Sequence, residues 1–236
     1  MNNDINRGSS VPCNMKKIGI LTIGQSPRPD VIGEFLRVLG RDYEIIERGA
    51  LDDYSVEELR RRKVAPGERI LVTKLRDGEE IKVSHDLVIS NLQKGIDYLE
   101  RKKIDVTLLL CTGKFPEFKS KHLVVQPSEI VRGTVTASLR SGKLAVVVPA
   151  KEQIPNTKTY AFGKDVDVYY DTASPYGSET ELREMAARIS KENVDLVFLD
   201  CMGFTHEMKQ IVREATGKPV ILSNALVARV LQEIVE

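Results

Sequence analysis

Apolar stretches alternate with amphipathic stretches along most of the chain. Continuous apolar runs such as KKIGILTIG (16–24), IDVTLLLC (104–111) and KLAVVVPA (143–150) predict strands that are buried on both faces. Between such runs the apolar residues recur at helical spacing, as in PDVIGEFLRVL after the first run. This alternation of strands and helices predicts an α/β protein whose parallel sheets are covered by helices.

The stretch at 69–84 departs from that pattern. RILVTKL and EEIKVS alternate apolar and polar residues on either side of Asp77 and Gly78. An Asp-Gly pair between two alternating runs is a strong hairpin signal. We expect an inserted hairpin whose regular edge either contributes to a homodimer contact or covers a ligand cleft.

The two halves of the chain repeat one pattern. IDVTLLLCTG (104–113) aligns without a gap to VDLVFLDCMG (194–203), and each block leads to a strand that ends in a small polar pair, in HLVVQPS and KPVILSN. The halves also open with similar strands, KKIGILTIG and KLAVVVPA. We therefore predict two pseudo-symmetric, Rossmann-like α/β domains with a ligand cleft between them. The predicted division is a disordered tail at 1–15, a first domain at 16–126 with 224–236 and the hairpin insertion at about 69–84, and a second domain at 127–223.

This repeat pairs Cys111 with Cys201. Both follow a predicted strand, and open α/β sheets bind ligands at the carboxyl ends of their strands. Two thiols that face each other across a cleft suit the removal of a proton from carbon on one face and its return on the other. Common descent of two packing residues is the alternative, because free cysteine is often buried. A reversible redox pair is a third interpretation, which the lack of CxxC spacing disfavours.

Composition and charge limit the classes of partner and the compartment that the sequence predicts. A net charge of +1 gives no electrostatic reason to expect nucleic acid or a charged membrane. No apolar run approaches the roughly 18–20 residues of a membrane span, and the polar start MNNDINRGSSVPCNM lacks the apolar region of a signal peptide. The cysteines, Cys13, Cys111 and Cys201, are odd in number and far apart, which argues against a disulfide framework. We expect a cytoplasmic protein.

No metal or cofactor motif stands out. His85 and His122 lack metal-ligand spacing to the cysteines. His206 is interpreted as an exposed histidine at the start of a helix, with assistance in acid–base chemistry as the alternative. TIGQSP has too few glycines for a dinucleotide fingerprint, and no phosphate-binding loop motif is present. We predict that the protein uses neither a metal nor a cofactor.

The chain resembles the AroM family. The resemblance rests on TIGQSPRPD, on QPSEIVRGTVTASLRSGKLAVVVPA and on LDCMGF followed by PVILSNALVARVLQEI, and it extends from about residue 16 to the end. That family is similar to the aspartate/glutamate racemase superfamily, which includes glutamate and hydantoin racemases and maleate isomerase. The resemblance implies two pseudo-symmetric domains, one catalytic cysteine in each at the interdomain cleft, and no cofactor. The family takes its name from a genetic association with aromatic biosynthesis.

The resemblance assigns the two superfamily cysteines to Cys111 and Cys201. TG (112–113) stands where amino-acid racemases carry Asn-Thr, and MG (202–203) stands where they carry Thr followed by His or Glu. TI (22–23) replaces the Asp-Ser pair that acts on the thiol and the substrate amine in glutamate racemases. A substrate without an amino group, such as a small carboxylate or hydroxy acid, therefore fits better.

Polar and glycine residues at strand ends complete the predicted ligand site. Arg28 is expected either to fork onto a carboxylate or to be a solvent-exposed turn residue, and Ser128 and the Ser223-Asn224 pair either bind ligand or cap helices. Asp200 either points elsewhere through strand alternation or faces Cys201, where its negative charge would raise the pKa of the thiol unless the carboxylate accepts the proton. The predicted substrate-binding residues are Thr22, Gly24, Gln25, Ser26, Arg28, Thr112, Gly113, Ser128, Met202, Gly203, Ser223 and Asn224.

These features favour a cofactor-independent racemase- or isomerase-like enzyme. It moves a proton at the carbon next to the carboxylate of a small carboxylic acid, with Cys111 and Cys201 as opposed acid and base. The alternative is a non-catalytic small-carboxylate-binding or regulatory protein on the same fold, related to the aromatic amino-acid pathway.

Overall fold

The computed structural model describes residues 15–40 and 42–236. The predicted tail at 1–15 lies outside the described residues except for Met15. The strands are β1 (Lys16–Thr22), β2 (Tyr43–Gly49), β3 (Ile70–Lys74), β4 (Glu80–Ser84), β5 (Val106–Leu110), β6 (Leu123–Val125), β7 (Ser141–Val148), β8 (Asp165–Thr172), β9 (Leu196–Leu199) and β10 (Val220–Leu222). The helices are α1 (Pro29–Leu39), α2 (Val56–Arg61), α3 (His85–Arg101), α4 (Pro127–Ser138), α5 (Ile154–Thr157), α6 (Glu179–Ile189), α7 (His206–Thr216) and α8 (Ser223–Val235).

Two four-stranded parallel sheets form the framework. Their strand orders are β2-β1-β5-β6 and β10-β9-β7-β8, so each half of the chain contributes one sheet of the same topology. The strand that precedes a cysteine is an inner strand in both sheets, since β5 lies between β1 and β6 and β9 lies between β7 and β10. The predicted α/β class with two parallel sheets is confirmed.

One apolar core joins the two sheets. Ile18 of β1, Leu144 of β7 and Leu231 of α8 belong to the same buried cluster. Side chains on a strand point alternately to opposite faces, and Leu21 and Val147 accordingly lie in outer cores, under α3 and under α6 and α7 respectively. The strand ends of both sheets therefore approach each other across a shared interior.

Helix α8 connects the halves. It follows β10 of the second sheet and packs against α1 and α4. The predicted domain boundary at 126/127 coincides with the start of α4, and the boundary at 223/224 falls after the first residue of α8. Because both helices belong to the shared core, the division into two domains stays a prediction.

The inserted hairpin forms as its sequence predicts. β3 and β4 pair antiparallel from Ile70↔Ser84 to Lys74↔Glu80. Gly78 adopts a φ of 90°, a conformation that side-chain-bearing residues rarely adopt, so the Asp-Gly turn requires this glycine.

Local sequence signals explain some helix starts and fail at others. Ser178 and Glu181 form the expected capping box at the start of α6. The interpretation of Ser128 and Ser223 as caps is wrong, because each lies inside its helix and is buried, and neither helix has a side-chain cap. The cap positions are held instead by Gln126 and Leu222.

Within the described part of the chain, no helix combines the length and the apolar character that a membrane crossing requires.

Candidate active site

A small cavity lies at the carboxyl ends of strands from both sheets. Its walls include Leu110 at the end of β5, Val148 at the end of β7, and the segments that follow β5 and β9. β3 of the hairpin forms another wall, through Ile70 to Thr73. The volume open to the centre of a water molecule is about 70 Å³, so the cavity suits a small molecule.

Cys111 and Cys201 both line this cavity, as free, half-buried thiols. Cys111 directly follows the last residue of β5, and Cys201 lies two residues after the last residue of β9. The backbone N–H of Gly113 donates to the sulfur of Cys111 at 3.3 Å, and that of Gly203 donates to the sulfur of Cys201 at 3.4 Å. The two thiols therefore have matching local environments, as the sequence repeat implies.

Burial raises the pKa of each thiol to about 12. The hydrogen bonds from Gly113 and Gly203 oppose this rise, and the negative charge of Asp200 adds to it at both sulfurs. The charge of Cys201 also raises the pKa of Cys111, which places the two sulfurs within electrostatic reach of each other. At neutral pH both groups are consequently protonated.

Arg132 of α4 is a cavity residue that sequence reasoning missed. Its Nη2 donates to the carbonyl oxygen of Thr112 at 2.9 Å, and its guanidinium lies 3.4 Å from the centre of the Tyr160 ring. Its Nε and Nη1 are buried and have no hydrogen-bond partner among the described residues. Its spacing in the sequence could have revealed it. Arg132 lies four residues after Ser128 and three before Val135, which places it on the buried face of α4.

Asp200 also lines the cavity and its charge raises the pKa of Cys201, so the second of its two expected orientations is the one found. Its side chain follows the end of β9 and is buried, and its Oδ1 has no hydrogen-bond partner among the described residues. Burial raises the pKa of this carboxyl to about 6, while the charge of Arg132 acts in the opposite direction. The cavity thus holds a cation and a carboxyl group that both retain bonding capacity.

Arg28 reaches the cavity but is already paired. It is 4% exposed, so the reading of a solvent-exposed turn arginine is wrong. Its Nε and Nη2 donate to the two oxygens of Asp30 at 3.0 and 2.9 Å, and Nη2 also donates to the hydroxyl of Tyr176 at 2.9 Å. The fork that was expected to hold a ligand therefore holds Asp30, and Arg28 positions Tyr176 against the cavity.

The other predicted residues of the first loop lie outside the cavity. The amide of Gln25 donates to the carbonyl oxygens of Leu51 and Tyr54, at 3.3 and 2.8 Å. Ser26 donates to Asp52 at 2.7 Å through its hydroxyl. These contacts tie the loop after β1 to the loop after β2. Thr22 and Gly24, which were also predicted to bind substrate, are buried and do not line the cavity.

Four predicted residues lie in the cavity wall beside the thiols: Thr112, Gly113, Met202 and Gly203. Thr112 links the halves, because its hydroxyl donates to the carbonyl oxygen of Asp200 at 3.4 Å. A Cβ atom at Gly203 would lie 2.7 Å from the hydroxyl of Tyr176, so this position has room only for glycine.

Ser128, Ser223 and Asn224 are buried and do not line the cavity. The hydroxyl of Ser223 donates to the carbonyl oxygen of Leu199 at 2.7 Å. The side-chain amide of Asn224 donates to the carbonyl oxygen of Met202 at 3.1 Å. These two bonds flank Cys201 and fix the backbone that carries it.

The histidines divide as follows. His85 is buried, lines the cavity and stacks on Phe115 at 5.4 Å, a position that its sequence context did not predict. His206 is exposed at the start of α7, as interpreted. Among residues 15–40 and 42–236, no group of three histidine, cysteine or acidic side chains is arranged to hold a metal ion.

Comparisons with known proteins agree with this architecture. A family model described as AroM protein matches residues 18–235, whereas a search of curated proteins finds no match. The fold is similar to that of glutamate racemase from Francisella tularensis subsp. tularensis SCHU S4, solved in complex with D-glutamate, at 12% identity over 93% of this chain and 81% of that chain, with a TM-score of 0.58.

Two further solved structures share the fold. Allantoin racemase from Pseudomonas fluorescens matches at 12% identity over 93% of this chain and 90% of that chain, with a TM-score of 0.56. Arylmalonate decarboxylase matches at 16% identity over 92% of each chain, with a TM-score of 0.55. Identities this low establish a common fold with these proteins and nothing finer.

Proposed function

The chain belongs to the AroM family, and from this premise we propose that it is a cofactor-independent racemase- or isomerase-like enzyme that moves a proton at the carbon next to a carboxylate. The substrate is a small carboxylic acid. Cys111 and Cys201 are the acid and the base on opposite faces of the reacting carbon.

The placement of the two thiols carries this proposal. Cys111 and Cys201 follow equivalent strands of two sheets with one topology, and both line a single cavity. Proton transfer at a tetrahedral carbon with inversion requires one group on each face, and a pseudo-symmetric pair supplies such groups.

The N–H groups of Arg132 that have no partner among the described residues are the proposed binding site for the carboxylate. A guanidinium binds a carboxylate through charge-assisted hydrogen bonds, which are about twice as strong as neutral ones. When the neighbouring carbon loses its proton, negative charge spreads onto the carboxylate oxygens. A fixed cation at those oxygens stabilises the transition state more than the ground state.

Each thiol also has an arginine whose charge favours its ionised form. The charge of Arg132 lowers the pKa of Cys111, and the charge of Arg28 lowers that of Cys201. Burial still dominates, so forming one thiolate at neutral pH from a thiol of pKa about 12 requires about 7 kcal/mol. The protonated thiol is ready to act as the acid, and ionisation of its partner is the demanding step.

That requirement favours the second candidate function. A protein that binds a small carboxylate without transferring a proton needs the cavity and Arg132 but no thiolate, and the raised pKa of both thiols is compatible with such a role. It would act as a binding or regulatory protein related to the aromatic amino-acid pathway.

Deuterium exchange separates the two functions. The wild-type protein is incubated in D₂O with each enantiomer of a panel of small carboxylic acids, and loss of the α-proton signal is followed by NMR. We expect exchange in wild type, and its loss from one or both enantiomers in Cys111→Ala and in Cys201→Ala.

Cys13→Ala is the control for general effects of cysteine removal, since it changes the third cysteine of the chain. Exchange that continues in both cavity variants would show that the thiols are not the acid and base. Ligand binding without exchange in wild type would establish the binding protein instead.

A further inference from the structure

Two buried, oppositely charged side chains in the cavity retain unused hydrogen-bonding atoms. Arg132 is 8% exposed, and its Nε and Nη1 have no partner among the described residues. Asp200 is 7% exposed, and its Oδ1 also has none. A buried polar atom without a partner destabilises a protein by roughly 1–3 kcal/mol, so a ligand that satisfies both groups gains binding energy at each.

The two groups lie close together. Nη2 of Arg132 donates to the carbonyl oxygen of Thr112, and the hydroxyl of Thr112 donates to the carbonyl oxygen of Asp200. One residue therefore bridges them, and the charge of Arg132 acts on the Asp200 carboxyl. A single small molecule can contact both.

The volume of the cavity limits the size of that molecule. One water molecule needs about 10–15 Å³ of cavity volume. The cavity of about 70 Å³ is several times larger, so it has room for a small acid such as lactate or alanine.

We infer that Arg132 and Asp200 select a compact carboxylic acid that carries a hydrogen-bond donor, a hydroxyl or an ammonium group, on the carbon next to its carboxylate. Arg132 binds the carboxylate and Asp200 accepts from the donor, which fixes the orientation of the α-carbon between the thiols. This inference rests on the proposed function for the role of that carbon, whereas the binding selectivity itself requires no proton transfer.

A ligand with a hydroxyl group and a ligand with an ammonium group would interact differently with Asp200. A hydroxyl brings one donor to one free acceptor atom, whereas an ammonium brings a positive charge and three donors. Both groups can donate a hydrogen bond to Oδ1 of Asp200, which has no donor among the described residues. Propionate has the carboxylate and the size but no donor, so it is the matched comparison for lactate and for alanine.

The test measures dissociation constants for propionate, for both enantiomers of lactate and for both enantiomers of alanine by NMR titration. It uses the full chain with Cys111→Ala and Cys201→Ala, so that no reaction occurs. Lactate or alanine should bind roughly tenfold or more tightly than propionate, the range of a hydrogen bond to a charged group. Tighter binding of lactate assigns a hydroxyl donor, and tighter binding of alanine assigns an ammonium donor.

Three further variants in that background identify the selecting groups. Asp200→Leu should bring lactate and alanine down to the affinity of propionate, whereas Asp200→Asn keeps an acceptor oxygen and should retain part of the preference. Arg132→Met should weaken all the acids alike. The Asp200 variants remain informative if Arg132→Met does not fold, since Oδ1 of Asp200 bonds to no described residue.

Equal binding of all the acids, a preference that survives Asp200→Leu, or no binding of any of them would overturn the inference. Selective binding combined with no deuterium exchange in the wild-type protein would leave it standing and would reject only the proposed proton transfer. Deuterium exchange of acids that lack the donor, without selective binding, would reject this inference and leave the proposed proton transfer standing.

Discussion

Cys111 and Cys201 have the chemistry of buried thiols despite lining a cavity. Their pKa values rise from 9.0 to about 12, chiefly because burial disfavours the thiolate. The thiolate is the form that reacts with alkylating agents, so its scarcity at neutral pH predicts low reactivity. This property distinguishes the pair from the activated cysteines of thiol enzymes.

We expect iodoacetamide to alkylate both thiols at pH 7.5 roughly 30- to 1000-fold more slowly than an unperturbed cysteine, since the greater nucleophilicity of a high-pKa thiolate offsets part of the loss. The rate should still be rising above pH 10. Peptide mapping by mass spectrometry over a pH series measures it, with the urea-unfolded chain as reference. A rate at Cys111 or Cys201 that levels off below pH 8 would contradict the raised pKa.

Asp200 should destabilise the folded protein at neutral pH. Its pKa rises from 3.8 to about 6 on folding, so the folded protein binds this proton more tightly than the unfolded chain. The resulting stabilisation is fully present below pH 4 and is lost as the pH rises through 6. We expect Asp200→Asn to be more stable than wild type at pH 7, by up to about 3 kcal/mol, and equal to it at pH 4.

Urea unfolding of both proteins at pH 4, 5, 6 and 7 tests this. Asp171→Asn is the matched control, because Asp171 is similarly buried but accepts hydrogen bonds from Arg188 at 2.9 and 2.8 Å. That variant should lose stability. If Asp200→Asn is also less stable than wild type at pH 7, the carboxylate has a stabilising contact that the structure does not contain.

At the residue scale, sequence reasoning found the groups that the repeat marks and missed those that tertiary packing creates. Cys111 and Cys201 were predictable because two strands with one pattern end in the same residue. Arg132 was not, because its role depends on Thr112 and Tyr160, which are distant in sequence. Gln25 looked like a ligand group because it follows a strand, but its amide is used up by backbone carbonyls.

At the element scale, the hairpin of β3 and β4 depends on one glycine. Gly78 has a φ of 90° and no described atom within 4 Å of the place where a Cβ would stand. Gly78→Ala should therefore lower the free energy of unfolding by about 1 kcal/mol through backbone strain alone. Denaturant unfolding measures the change.

Gly33→Ala is the control for this substitution. Gly33 is exposed inside α1 and also has free space at its Cβ position, but its φ is ordinary for a helix. Alanine should stabilise the protein there by up to about 1 kcal/mol. The changes in the free energy of unfolding should have opposite signs in the two variants. A loss of stability in both would indicate that packing, rather than the conformation of the turn, is the cause.

Helix starts show which element-scale signals are reliable. The capping box at Ser178 and Glu181 was predictable because both partners lie in one local stretch and are exposed. Ser128 and Ser223 have the same residue type after a strand, but they are buried. Ser223 bonds to Leu199 across the sheet edge instead of to its own helix, and this tertiary contact has no signature in the local sequence.

At the scale of the whole molecule, the alternation of strands and helices was sufficient to predict two parallel sheets. The shared core was not evident, because apolar strands show that both faces are buried but not what covers them. Residues of both sheets and of α8 form one cluster. The protein should therefore unfold in a single cooperative transition, although its sequence consists of two related halves.

Leu231→Ala tests this cooperativity. Leu231 of α8 is fully buried in the cluster that contains Ile18 of the first sheet and Leu144 of the second. The substitution should lower the free energy of unfolding by about 2–5 kcal/mol, because it removes buried methyl groups and leaves a cavity. The transition should stay single and coincide when followed by circular dichroism and by tyrosine fluorescence.

Ile234→Ala provides the comparison on the same helix. Ile234 is 42% exposed, so its truncation should change the free energy of unfolding by no more than about 0.5 kcal/mol. Two separate transitions, of which Leu231→Ala shifts only one, would show that the halves unfold independently. A single transition that shifts as a whole would show that the two sheets unfold together, through the core that α8 shares with both.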